Sequence, residues 1–181
     1  MLIGLIVVIV LVVAFVVSEQ RAFVHLDELC QNALSQIGVQ MQSRWDALTT
    51  LAKATKGYSE HEYKTLMDVI SKREAVTRTS TTDQVNNQEN MLTDALNKFV
   101  AVAEGYPDLK ASDVYIKTMN SVEEYENNVR MSRMVYNDTV TKMNRRVRSF
   151  PSSIVASMLG FATKGYLEEP EGKTEMPDLE F

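Results

Sequence analysis

The 181-residue chain carries 24 acidic and 19 basic side chains, a net charge of −5, which argues against a nucleic-acid-binding surface over the whole molecule. Its single cysteine, Cys30, excludes an intramolecular disulfide. Four prolines, the first at Pro107, and seven glycines leave little to interrupt helices, so one mostly helical domain with accessories is expected.

From Met1 to Val17 the chain has no charge and no polar side chain. Such a helix would span about 25 Å, the short end for a bilayer core of about 30 Å. A secretory signal would need a basic start and a small-residue cleavage site, and neither is present. A lipoprotein signal would need small residues before Cys30, where Asp27-Glu28-Leu29 stands. A buried core helix would need partners on every face. Residues 1–18 are therefore read as a transmembrane helix. Arg21, just beyond it, places the bulk of the chain in the cytoplasm and the first residue outside by the positive-inside tendency. Val7, Val8, Val10, Val12 and Val13 give the span a β-branched surface suited to packing, so a homo-oligomer is expected in the membrane.

Beyond the span, Leu26, Cys30, Ala33, Ile37, Met41, Leu48 and Leu51 recur at three- and four-residue steps, one long amphipathic stripe that stops at Gly57. A second pattern covers Glu60 to about Thr77 on Tyr63, Leu66, Met67 and Ile70. The stretch "TRTSTTDQVNNQEN" then lowers helix propensity, because its hydroxyl and amide side chains compete for backbone hydrogen bonds. A third pattern, on Leu92, Ala95, Leu96, Phe99, Val102 and Ala103, stops at Gly105 and Pro107, and Ser112 is positioned as the next N-cap. The fourth helix is the most regular, with Val122, Val129, Tyr136, Met143 and Phe150 every seven residues.

If the hydroxyl-rich stretch breaks the chain, residues 19–150 form an antiparallel four-helix up-and-down bundle continuing from the transmembrane helix. If it stays helical, three long helices result. The caps offered by Ser80-Thr81-Thr82-Asp83 favour four. In that arrangement Lys142, Arg145, Arg146 and Arg148 end up near anionic headgroups, each contributing on the order of 1 kcal/mol. Complementation of the helix dipole explains the same cluster without a membrane. Residues 151–181 form an apolar juxtamembrane segment, lying in the interface or capping the bundle, and an acidic tail whose Leu179 and Phe181 could dock as an extended anchor.

Polar residues also fall on the inner rows. Glu126 and Arg133 share a row with Val140 and Val147, which reads as a partly buried ion pair on the bundle seam. With Asn137 and Asn144 they make up a candidate interhelical polar network. A di-metal carboxylate bundle would need two Glu-x-x-His pairs. Only His25 and His61 occur, neither with a glutamate three residues before it, so no metal and no other cofactor is expected. No serine, histidine and acid constellation and no phosphate-cradling glycine loop is recognisable, so no catalytic residue is assigned and no enzyme is expected.

Three stretches carry a resemblance: "QIGVQMQSRWDALTTLAKATKGYSEHE" (36–62), "VAEGYPDLKAS" (102–112) and "ENNVRMSRMVYNDTVTKMNRRVRSFPSSIVASMLGF" (126–161). Together they resemble the LemA family of bacterial membrane proteins. The resemblance implies a single-span inner-membrane protein, first residue outside and bundle cytoplasmic, with no assigned catalytic activity. The chain departs from the family pattern at Gly38, usually aspartate, at Ser43-Arg44, usually an arginine pair, and at "DALTTL" from Asp46. Two functions fit. One is a membrane-anchored interaction or assembly protein, whose partners would be the lipid bilayer, its own copies and another membrane protein. The other is a bundle that senses a ligand through polar residues between helices. Apolar surface left over after the bundle closes would favour the first, and an internal cavity with converging polar groups the second.

Overall fold

A computed structural model of the chain describes residues 1–168. Leu179 and Phe181, expected as an extended anchor, lie outside the described residues. Regular structure among the described residues is entirely helical: α1 (Leu2–Thr55), α2 (Glu60–Ser71), α3 (Thr82–Glu104), α4 (Pro107–Lys110), α5 (Asp113–Arg148) and α6 (Ser152–Leu159). Among them one helix, α1, is long and apolar enough to cross a membrane, and the same helix continues into the bundle. Met1 to Ser18 are exposed apart from the half-buried Val16, whereas burial begins abruptly at Glu19 and Phe23. The same helix thus has an apolar outside for 18 residues and an apolar inside thereafter.

Local chemistry sets the ends of the elements. The Ser59 side chain accepts from the Glu62 N–H (3.3 Å) and starts α2, and Ser112 accepts from the Tyr115 N–H (3.2 Å) and starts α5. Thr81 and Gln84 form a reciprocal capping box that starts α3. The chain does break in the hydroxyl-rich stretch, so the four-helix arrangement is the one found, with α4 and α6 as short additions. Two boundaries differ from expectation. Helix α2 ends at Ser71 rather than near Thr77, and α3 begins at Thr82, well before Leu92. Intrinsic propensity is weak in "QVNNQEN", but Val85 is fully buried and Gln88 and Glu89 nearly so, and tertiary packing holds the turn in place.

The core is layered along α1. At the far end Trp45, Leu48 and Leu51 meet Leu66 and Ile70 of α2, Leu92, Leu96 and Phe99 of α3, and Val122 of α5. In the middle Cys30, Ile37 and Met41 meet Val85 of α3 and Val129, Tyr136 and Val140 of α5. At the base Phe23 and Leu26 meet Met143 of α5 and Ala156 of α6. Phe150, expected on the α5 core row, lies outside the helix and is 81% exposed, because α5 ends at Arg148 ahead of Pro151.

The connector from Lys72 to Thr81 lies flat on α1, and Gly38 makes that possible. A Cβ at Gly38 would collide with the backbone carbonyl of Val76. The Gln88 side chain then accepts from the Glu74 N–H (2.9 Å), and Arg73 pairs with Asp46 (3.1 Å).

Two outcomes follow. Gly38→Ala forces the connector off α1 and costs about 1–3 kcal/mol of overpacking, more than the helix-propensity gain of about 1 kcal/mol, so thermal unfolding shifts to lower temperature. Deleting residues 1–17 removes nothing from the core, so the truncate stays soluble and highly helical with an unchanged unfolding midpoint. Circular dichroism reads both.

Candidate functional site

The residues singled out by their chemistry fall into two places, the base of the bundle and a polar seam along α5. At the base, Glu19 is the first charge after the apolar stretch of α1 and is only 6% exposed. Arg146 of α5 grips it with two hydrogen bonds, Nε to Oε2 at 2.8 Å and Nη2 to Oε1 at 3.2 Å. That fork holds the Glu19 carboxyl below the usual carboxylate range, outweighing the opposite effect of burial, and Ser152 adds a further hydrogen bond. One turn further into the bundle Phe23, fully buried, stacks on Phe161 with ring centroids 5.0 Å apart.

The four basic residues of this region therefore do different things. Arg146 is committed to Glu19, Lys142 is paired with Asp138 one turn earlier (2.7 Å), and Arg145 and Arg148 are exposed. Helix α6 buries Val155 and Ala156 against the bundle and turns Ile154, Met158 and Leu159 outward, with Phe150 alongside. Helix α6 thus caps the lower end of the bundle and still presents an apolar outer surface beside two cations.

The seam residues reach partners on other helices. Glu126 lies 3.9 Å from Arg44 of α1, and Arg133 pairs with Glu89 of α3. Arg44 is 3% exposed, and burial pushes its guanidinium down to about 10. Sequence reasoning missed Arg44 and Glu89 as partners; their place on otherwise apolar rows was the available signal.

Asn137 and Asn144 both turn to the chain beyond α6. Each clamps one residue of an extended return segment that follows Gly160. The Asn144 side chain donates to the Lys164 carbonyl (2.9 Å) and accepts from its N–H (2.8 Å). Asn137 does the same for Leu167, at 2.9 Å in both directions. Between them the Tyr136 hydroxyl donates to the Gly165 carbonyl (3.2 Å), and burial pushes this phenol up to about 12. Lys164 also pairs with Asp27 (2.7 Å), and Leu167 is 2% exposed in the middle core layer. The segment runs back along α5 like an added strand, its backbone satisfied by side-chain amides.

Comparison with known proteins follows the same lines. The sequence pattern of the LemA family matches residues 33–181. Magnetosome protein MamQ 2 of Paramagnetospirillum magneticum is 32% identical over 81 residues, 44% of this chain and 30% of that protein. Magnetosome protein MamQ of Magnetospirillum gryphiswaldense is 23% identical over 192 residues, 90% of this chain and 71% of that protein. Protein LemA of Metamycoplasma hominis is 29% identical over 135 residues, 71% of this chain and 59% of that protein. This chain thus spans under a third of the first relative and under two thirds of the third.

The Glu19–Arg146 fork gives a pH signature. A carboxyl whose folded value is depressed stabilises the fold fully above its ordinary value of 4.5 and loses that contribution as pH falls through the depressed value. Glu19→Gln is therefore less stable than the parent at neutral pH, and the gap closes below the ordinary value. Urea unfolding of both proteins across pH 3–7 checks it; a gap independent of pH would show that the fork is not its source.

Proposed function

The chain belongs to the LemA family, and on that footing we propose that it is a membrane-anchored interaction module whose bundle assembles with other proteins of the same bilayer and carries no catalysis of its own. It is a membrane-associated helical protein. The reading places it in a bacterial inner membrane with the bundle in the cytoplasm. Arg21 supports that orientation, and so do Arg145 and Arg148, which the fold gathers at the same end of the span.

One observation carries the reading: the bundle closes and still leaves large apolar side chains outside. Phe150, Ile154 and Met158 are each more than half exposed at the base, and Val39, Met131, Met134 and Val135 are so on the flank. A monomeric soluble domain of this size seldom clusters such residues. The polar groups, by contrast, are used internally. Asn137 and Asn144 are occupied by the return segment, and the grooves along the bundle open to solvent, which removes support from the ligand-sensing alternative.

The base then acts as a foot. Arg145 and Arg148 face anionic headgroups, and the outer side of α6 dips into the interfacial zone. The bundle lacking residues 1–17 should bind vesicles containing anionic lipid and release them as salt rises. Arg145→Gln with Arg148→Gln removes about 1 kcal/mol each, roughly a 10- to 30-fold loss of binding, with helicity intact. Arg146→Gln should instead lower stability, because it breaks the fork to Glu19. Absence of vesicle binding even at low salt would refute the foot.

A further inference from the structure

We propose that the uncovered flank of the α1–α5 pair is the surface on which two copies of this chain pair side by side in one membrane. The proposal rests on the interaction-module reading and names its partner. Helices α2 and α3 cover one side of the α1–α5 pair. On the other side Asn32, Gln36 and Val39 of α1 and Asn128 and Met131 of α5 line an open groove of 660 Å³. Val39 is 61% exposed and Met131 57%, and Met134 and Val135 continue the stripe along α5.

The second copy is selected by geometry and charge together. Copies anchored through the same span share one orientation, so a pair of them is related by a two-fold axis parallel to α1. Every residue near that axis meets its own copy at the same height, and a charged residue would meet a like charge. Between Glu28 and Asp46, α1 holds one charged residue, Arg44, which is buried. Between Glu124 and Asp138, Glu126 and Arg133 of α5 turn to Arg44 and Glu89, and Arg130 turns toward Glu126. The α1 and α5 faces of the flank are therefore neutral over the height that contains its exposed apolar residues, in a chain that is 24% charged. The nearest exposed charges, Glu74 and Arg78 of the connector, share the neighbouring groove with Val39. A partner of different sequence would place no such demand on this face. Methionine and valine supply adaptable contacts, and confinement to one bilayer raises the effective concentration, so a modest patch suffices.

The test uses the full chain in lipid vesicles at low protein-to-lipid ratio, with a short thiol cross-linker. Cys30, 1% exposed, is the native thiol, so the parent chain is the blank. V39C should give a covalent dimer at least tenfold above the parent chain and above N97C, placed on the exposed side of α3. V39E or M131E should lower pairing of the full chain at least tenfold, with circular dichroism unchanged. Co-reconstitution of V39E with a differently tagged V39K should restore it. V39C that cross-links only to another protein, when tested in native membranes, overturns self-pairing and leaves the interaction-module reading standing. V39C that cross-links to nothing there overturns both.

Discussion

A single unbroken helix carries both an exposed apolar stretch and the spine of the bundle, and that constraint organises everything else. Helix α1 has no proline and continues from the apolar stretch into the bundle core, so nothing between them can hinge cheaply. Every other element must take its register from it. The abrupt change at Glu19 is where the two regimes meet, and a carboxylate at such a place needs a partner. Arg146 provides it, which in turn sets where α5 must end and in which direction it must run. The return segment then inherits its path from α5. The base is built by one charge pair, one aromatic stack and a short helix.

Above the base, the apolar rows alone would not fix the height of α5. Its repeat of seven means that a slide by one heptad puts similar side chains back against α1. The charged pairs remove that degeneracy. A slide of about 10 Å would carry Glu126 away from Arg44 and Arg133 away from Glu89, leaving buried charges against hydrocarbon. Each pair adds little net stability, since desolvation offsets most of the attraction, but misalignment is expensive. Burial holds the Arg44 guanidinium down to about 10, which is the physical trace of that tension.

Much of this was legible in the sequence, and the misses have specific causes. The apolar stretch, the stop at Gly57, the cap at Ser112, the stop at Gly105 and the heptads of α5 all rest on local rules that hold wherever the chain goes. The start of α3 was not legible, because Val85 and Gln88 are helical for reasons located on α1 and in the connector. Gly38 looked like a departure from a family pattern; its use appears only once Val76 is seen against it. Asn137 and Asn144 were recognised as inward polar residues, but a side-chain amide gives no hint of whether it will meet a helix, a ligand or an extended backbone. Arg146 was grouped with its basic neighbours, since nothing in the local spacing shows that Glu19, 127 residues away, will claim it.

The length of α1 beyond Glu19 has a consequence of its own. From Glu19 to Thr55 the helix rises about 55 Å, and the far end carries the Tyr58–Tyr106 contact with Val114 and Ile116 exposed beside it. The membrane's electrostatic reach at physiological salt is about 8 Å. On the anchored reading proposed above, the far end therefore stands in plain bulk electrolyte, several screening lengths from any headgroup. Whatever meets it there does so without lipid influence, at a height fixed by a rigid post rather than by a tether.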